Sequence, residues 1–114
     1  MSLKPERTLL DKWIEALRSG KYKQGKGYLK KGDYYCCLGV FCEVIGLKGT
    51  LMPDREWDRV YEYEGEHCTL PDKVKVLFDN LNVNTLISLN DRGSSFVEIA
   101  DQLAAPSSEV YFAR

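Results

Sequence analysis

Residues 36–46 read Cys36-Cys37-Leu38-Gly39-Val40-Phe41-Cys42-Glu43-Val44-Ile45-Gly46, and no other stretch constrains the fold as strongly. Cys37, Leu38, Phe41, Cys42 and Ile45 recur at the spacing of one helical face. Gly46 follows where a left-handed residue ends a helix. Glu43 is the one charged residue in the run, so the pattern predicts a helix that is largely buried. Gly39 in its interior weakens a helix, which points to another element packed too close for a side chain.

Working outward, Leu9, Leu10, Trp13, Ile14 and Leu17 fall on one face of a helix predicted from Pro5 to Ser19. Proline suits its first turn and Gly20 its stop. The next segment, KYKQGKGYLKK from Lys21 to Lys31, is too rich in Gly and Lys to pack as a helix. With Gly32-Asp33 as a turn and Tyr34-Tyr35 beyond, it predicts a short irregular hairpin. The acidic stretch from Gly49 to Leu70 reads as loop plus a second hairpin. Val60-Tyr61-Glu62-Tyr63 is expected as an exposed strand, Glu64-Gly65-Glu66 as its turn, and His67 to Leu70 as the return. Leu70-Pro71-Asp72 opens a helix with Val74, Leu77, Phe78 and Leu81 inward. Leu86-Ile87-Ser88-Leu89 reads as a brief strand or an extended approach, and Asn90-Asp91-Arg92-Gly93 as a turn. Ser95-Phe96-Val97-Glu98 is a capping box that starts a last helix with Phe96, Ile99, Ala100 and Leu103 on its inner stripe. Val110, Tyr111 and Phe112 either fold back or contact another subunit, which leaves a homo-oligomer open. These elements describe one α+β domain over residues 1–114, with its core over 5–104, three to four helices and short, mainly antiparallel hairpins.

The 114 residues are 44% hydrophobic and 29% charged, an ordinary globular composition that excludes a disordered or fibrous chain. A chain of this length buries about two-thirds of its surface on folding, enough for a core without metal or disulfide. Uncharged runs such as Tyr34 to Cys42 are too short to cross a bilayer, and the first residues show no signal-peptide pattern. The net charge of -1 conceals an asymmetry. Residues 1–31 hold nine Lys/Arg against three Asp/Glu, and residues 32–72 hold three against nine. The neutral total argues against general nucleic-acid binding, while the local cationic excess admits an anionic ligand.

Four constellations bear on chemistry. Lys21, Lys23, Lys26, Lys30 and Lys31 interleave with Tyr22, Gln24, Gly25, Gly27 and Tyr28. Glycine amides, ammonium groups and stacking rings together suit a phosphate, a nucleotide or single-stranded nucleic acid, although no phosphate-loop or dinucleotide signature is present. The competing reading is a solvated hairpin whose lysines guard an edge strand. Arg92 and the amides before the last helix offer a second anion contact, against which the capping box competes. The ligand set is therefore Lys21, Lys23, Gln24, Gly25, Lys26, Gly27, Tyr28 and Arg92.

Third, Cys36 or Cys37 opens a helix and His67 follows on an expected strand, an order similar to papain-like endopeptidases. Asp72 and Asn80 are weak choices for the orienting third group. Fourth, Cys36, Cys37, Cys42, His67 and Cys68 lack the paired spacing of structural zinc, so no metal and no cofactor is expected. Reduced, mostly buried thiols are the default. Trp13 reads as core and Trp57 as either a hydrophobic plug or a contact surface. The acidic hairpin around Glu62, Glu64 and Glu66 reads as solvated, with a DNA-mimicking face as the alternative.

In order, W-I-E-A-L-R-S-G, Y-K-Q-G-K-G, Y-C-C-L-G-V-F-C-E and L-N-D-R-G-S-S-F-V-E-I-A resemble a group of small proteins of tailed bacteriophages and prophages. The resemblance runs roughly from Trp13 to Leu103. It implies an accessory protein in the bacterial host cytoplasm and brings no catalytic residues. The resulting expectation is a non-enzymatic binding module for a small anionic ligand or a host protein, with a cysteine hydrolase using Cys36 or Cys37 with His67 as the alternative.

Overall fold

A computed structural model describes residues 5–75, 81–105 and 108–111. Helices α1 (Pro5–Arg18), α2 (Cys37–Val44), α3 (Asp72–Lys75), α4 (Val83–Asp91) and α5 (Phe96–Ala104) combine with strands β1 (Lys23–Gln24), β2 (Lys30–Lys31), β3 (Tyr34–Tyr35), β4 (Thr50–Leu51) and β5 (Val60–Glu62). A 3-10 turn, Pro53–Asp58, precedes β5. The fold is α+β. The described strands form one sheet in the order β1-β3-β2-β5-β4, antiparallel except for the parallel β1–β3 pair.

The core lies between the helices and the sheet. Helix α1 packs on α5 and α2, burying Trp13 and Leu17 against the apolar stripes of both. Trp13 donates its indole N–H to the Cys37 carbonyl at 2.9 Å, and its ring centroid lies 4.7 Å from that of Phe41. The capping box of α5 is complete: Glu98 N–H donates to Ser95 Oγ at 3.1 Å and Ser95 N–H to Glu98 Oε1 at 2.8 Å. The Gly32-Asp33 hairpin turn joins β2 to β3.

Helix α2 sits on the chain segment before β2. A Cβ on Gly39 would overlap the Leu29 carbonyl oxygen, so the glycine permits the close approach that its position in an apolar helix suggested. Leu29 is fully buried there, donates its N–H to the His67 carbonyl at 2.7 Å and accepts from Cys36 N–H at 3.2 Å.

Several expectations are corrected. Residues 86–89 are helical, because Asn82 caps α4 by accepting from Thr85 N–H at 3.2 Å and Leu86 and Leu89 then share one buried face. Asn90 and Asp91 belong to the last turn of that helix, and the bend comes at Arg92-Gly93. Val60 and Tyr63 are buried, and the Tyr63 hydroxyl donates to Glu43 Oε2 at 2.6 Å, so α2 supplies the partner that water was expected to be. The second hairpin closes through a single Tyr63–Glu66 bridge, and residues 67–69 form bends, followed by an irregular Leu70, rather than a returning strand. Leu81 bridges Tyr111, while Asn82 N–H donates to the Val110 carbonyl at 2.7 Å, so the described part of the tail folds back. Leu77, Phe78, Asn80 and Phe112 lie outside the described residues. No described helix is long and apolar enough to cross a membrane.

The α2 crossing is testable by two alanine substitutions. Gly39→Ala should lower unfolding free energy by roughly 3 kcal/mol, because the added methyl strikes a backbone oxygen that cannot move independently. Gly46→Ala meets no neighbour but sits at φ +83°, and should lose about 1 kcal/mol. Urea denaturation reads both, and equal losses would contradict the close approach.

Candidate functional site

Cross-strand register sorts the sheet's side chains into two rows on opposite faces. Gln24, Tyr35, Lys30, Tyr61 and Leu51 form one row, and Lys23, Tyr34, Lys31 and Val60 the next. In the first row the Lys30 ammonium lies 4.4 Å from the Tyr61 ring centroid and 5.3 Å from that of Tyr35. A cation held between two rings is well placed structurally and poorly placed for a ligand. In the second row Tyr34 and Lys31 are neighbours, and the Lys23 ammonium is 5.9 Å from the Tyr34 centroid.

Beside Tyr34 and Lys31 the surface opens into a recess of about 370 Å³. Gly25, Lys26 and Tyr28 form one wall, Lys31, Gly32 and Tyr34 the hairpin wall, and Asp58 and Arg59 the third. This volume suits a small molecule. A Cβ on Gly25 would come within 2.8 Å of the Tyr34 Cβ, so the walls meet closely only because that side chain is missing.

Electrostatics divide the cations. Lys31 Nζ lies 3.1 Å from Asp58 Oδ1. Arg55 donates to Asp58 Oδ2 at 2.9 Å and to the Tyr28 hydroxyl at 2.8 Å. The hydrogen bond from Arg55, and then that from Lys31, hold the Asp58 carboxyl below its ordinary range. Lys31 is thus neutralised by the acidic midsection. Arg59 occupies the left-handed region at φ +58°, uncommon for a residue with a side chain, and its exposed guanidinium stands 3.8 Å from Asp33. Lys26 has no partner among the described residues. Lys26 and Arg59 are therefore the charges most available to an anion.

The sequence-derived ligand residues are only partly gathered here. Gly25, Lys26 and Tyr28 line the recess, and Lys23 adjoins it through Tyr34. Gln24 turns inward. Its Nε2 donates to Asn90 Oδ1 at 3.1 Å and the Ser94 carbonyl at 2.6 Å, and its Oε1 accepts from Phe96 N–H at 3.0 Å. Gly27 N–H is occupied by Asp91 Oδ1 at 3.1 Å. Lys21 and Arg92 are exposed and line no part of the recess. The amides around Arg92 are used by the helix ends themselves: Ser94 N–H donates to the Leu89 carbonyl and Ser95 N–H to Glu98. Residue-by-residue reading missed Asp58 and Arg59, which reach the recess only through the pairing of β2 with β5.

The thiols face the opposite way from an activated nucleophile. Cys36, Cys37 and Cys42 are buried and Cys68 is exposed, all free of disulfides. Burial pushes the Cys36 thiol up to about 11, raises Cys37 well above its ordinary value and takes Cys42 to about 12. Cys37 Sγ donates to the Leu86 carbonyl at 3.7 Å. His67 stacks on Tyr28 with centroids 6.1 Å apart, and among the described residues no hydrogen bond joins it to either thiol. Nor do three metal-ligating side chains cluster among those residues.

The family described as "Domain of unknown function (DUF8296)" matches residues 6–77. No curated protein and no solved structure matches the chain.

Thiol burial sets a pH dependence. The folded state holds the Cys36 and Cys42 protons more tightly than the unfolded chain, whose thiols ionise near 9.0. Stability is therefore fully present below pH 9.0 and declines as pH climbs toward 11 and beyond, visible as a falling urea midpoint. Ellman's reagent should titrate Cys68 alone in native protein at neutral pH, and all four thiols in denaturant. Rapid native labelling of Cys36 or Cys37 would refute the inert-core assignment.

Proposed function

The chain belongs to the DUF8296 family, and we propose that it is a non-enzymatic binding module whose recess holds a small anionic ligand. The observation that carries this reading is the pairing of Lys26 and Arg59 at a recess with two tyrosine walls, where Asp58 is already occupied by Arg55 and Lys31. Ion pairing at the base fixes the walls and leaves the rim cationic. An anion entering there gains charge-assisted hydrogen bonds from Lys26 and competes at Arg59 only with a long, exposed contact to Asp33. The setting we propose, from the motif resemblance, is accessory work for a tailed phage inside its host. A binding module needs no activated thiol, which accords with the inert cysteine core.

The test is isothermal titration calorimetry with inorganic pyrophosphate at low salt. Lys26→Glu should weaken binding by about 10-fold or more, the scale of one hydrogen bond to a charged group. Added salt should weaken it in the unmodified protein as well. Lys12→Glu, on α1, should leave affinity nearly unchanged. Absence of binding, or a Lys26→Glu affinity equal to that of the parent, would overturn the proposal.

A further inference from the structure

Three large apolar side chains stand exposed among the described residues: Trp57 at 82%, Tyr34 at 52% and Val97 at 51%. One of them lines the recess and another adjoins its lining in the chain. Tyr34 is part of its wall, and Trp57 immediately precedes Asp58, which lines the third wall. The other tryptophan, Trp13, is fully buried, as an indole in a small domain ordinarily is. Trp57 makes no hydrogen bond or ring contact among the described residues, so both faces and the N–H remain unused.

The turn that carries Trp57 is anchored to the recess. Arg55 and Asp58 flank the indole, bonded to each other at 2.9 Å, and Arg55 also holds the Tyr28 hydroxyl at 2.8 Å. An exposed aromatic on a tethered turn is a stacking platform, since little ordering remains to oppose contact with a flat ring. Trp57 does not itself line the recess, but it is carried on the same short turn as Asp58 and Arg59, which do, one and two residues away in the chain.

From this juxtaposition we propose that the ligand is a nucleoside diphosphate, its phosphates at Lys26 and Arg59 and its base stacked on Trp57, with Tyr34 as the adjoining apolar wall. The assignment rests on the recess being an anion site. It adds a requirement that the anion carry an aromatic ring, and it assigns Trp57 a binding role outside the lysine-rich segment.

ADP and inorganic pyrophosphate separate the two claims, because they share the diphosphate and differ in the nucleoside. Calorimetry should show ADP binding about 10-fold more tightly than pyrophosphate, the scale of one base stacked on an aromatic side chain. Trp57→Ala should abolish that preference and leave pyrophosphate affinity unchanged, while Trp57→Phe should retain part of it. ADP should quench the emission of the exposed indole more than pyrophosphate does. Equal affinity for the two ligands overturns the nucleoside assignment, a preference that survives Trp57→Ala overturns the stacking of the base on Trp57, and either result leaves the anion recess standing. Failure of both ligands to bind overturns the recess and the nucleoside assignment together. Because Trp57 is solvent-exposed, an unchanged urea midpoint should accompany its substitution.

Discussion

Everything in this structure converges on the buried carboxamide of Asn90. Its oxygen accepts from the Cys37 N–H at 3.2 Å and from Gln24, and its nitrogen donates to the Gly25 carbonyl at 2.7 Å. Gln24 extends the network to Ser94 and Phe96. Two amide side chains thereby satisfy the first free N–H of α2, the first of α5, and carbonyls at the end of β1 and before α5. Cys36 provides no side-chain cap, so α2 depends on an amide from a helix remote in sequence. Each buried backbone group left unpaired costs about 1–3 kcal/mol, and four such groups are comparable with the whole stability margin of a small domain.

The network also positions the recess. By holding Gly25 through its carbonyl, Asn90 fixes where the chain leaves β1, and Asp91 takes the Gly27 N–H two residues later. Lys26 lies between these two tethers. Its ammonium is exposed while its backbone is secured from both sides, which limits the ordering that a bound anion would require. On the far side, the Arg55–Asp58–Lys31 cluster ties the 3-10 turn to β2. The recess is therefore a junction between two hydrogen-bonded clusters, with Lys26 unpaired and Arg59 held only by a long contact to Asp33 at its rim.

Much of the helical architecture was legible because it repeats at helical spacing: the faces of α1, α2 and α5, the glycine at the α2 crossing and the Ser95–Glu98 box each announce themselves over short distances. Helix α4 was obscure because Leu86-Ile87-Ser88-Leu89 is short and apolar with a β-branched residue, and its cap, Asn82, also takes part in the pairing with the tail. Tyr63 was misread because alternating glutamates imply water on both sides, whereas Glu43 arrives from α2 to accept its hydroxyl. The candidate site was half visible. Glycine, lysine and tyrosine between residues 21 and 31 mark a cationic segment, but nothing local distinguishes Lys26, which remains free, from Lys30 and Lys31, which do not. Those fates depend on Tyr61 and Asp58, brought in by a strand distant in sequence.

Helix α1 takes its largest packing partner from α5, near the other end of the chain. A ribosome releasing this polypeptide would expose the apolar stripe of α1 long before the surface that covers it exists, and α2 would wait just as long for Asn90. Vectorial synthesis thus leaves the core unfinished until the residues through α5, which ends at Ala104, have cleared the exit tunnel. The apolar stripe of α1 is therefore the surface that stays uncovered longest during synthesis.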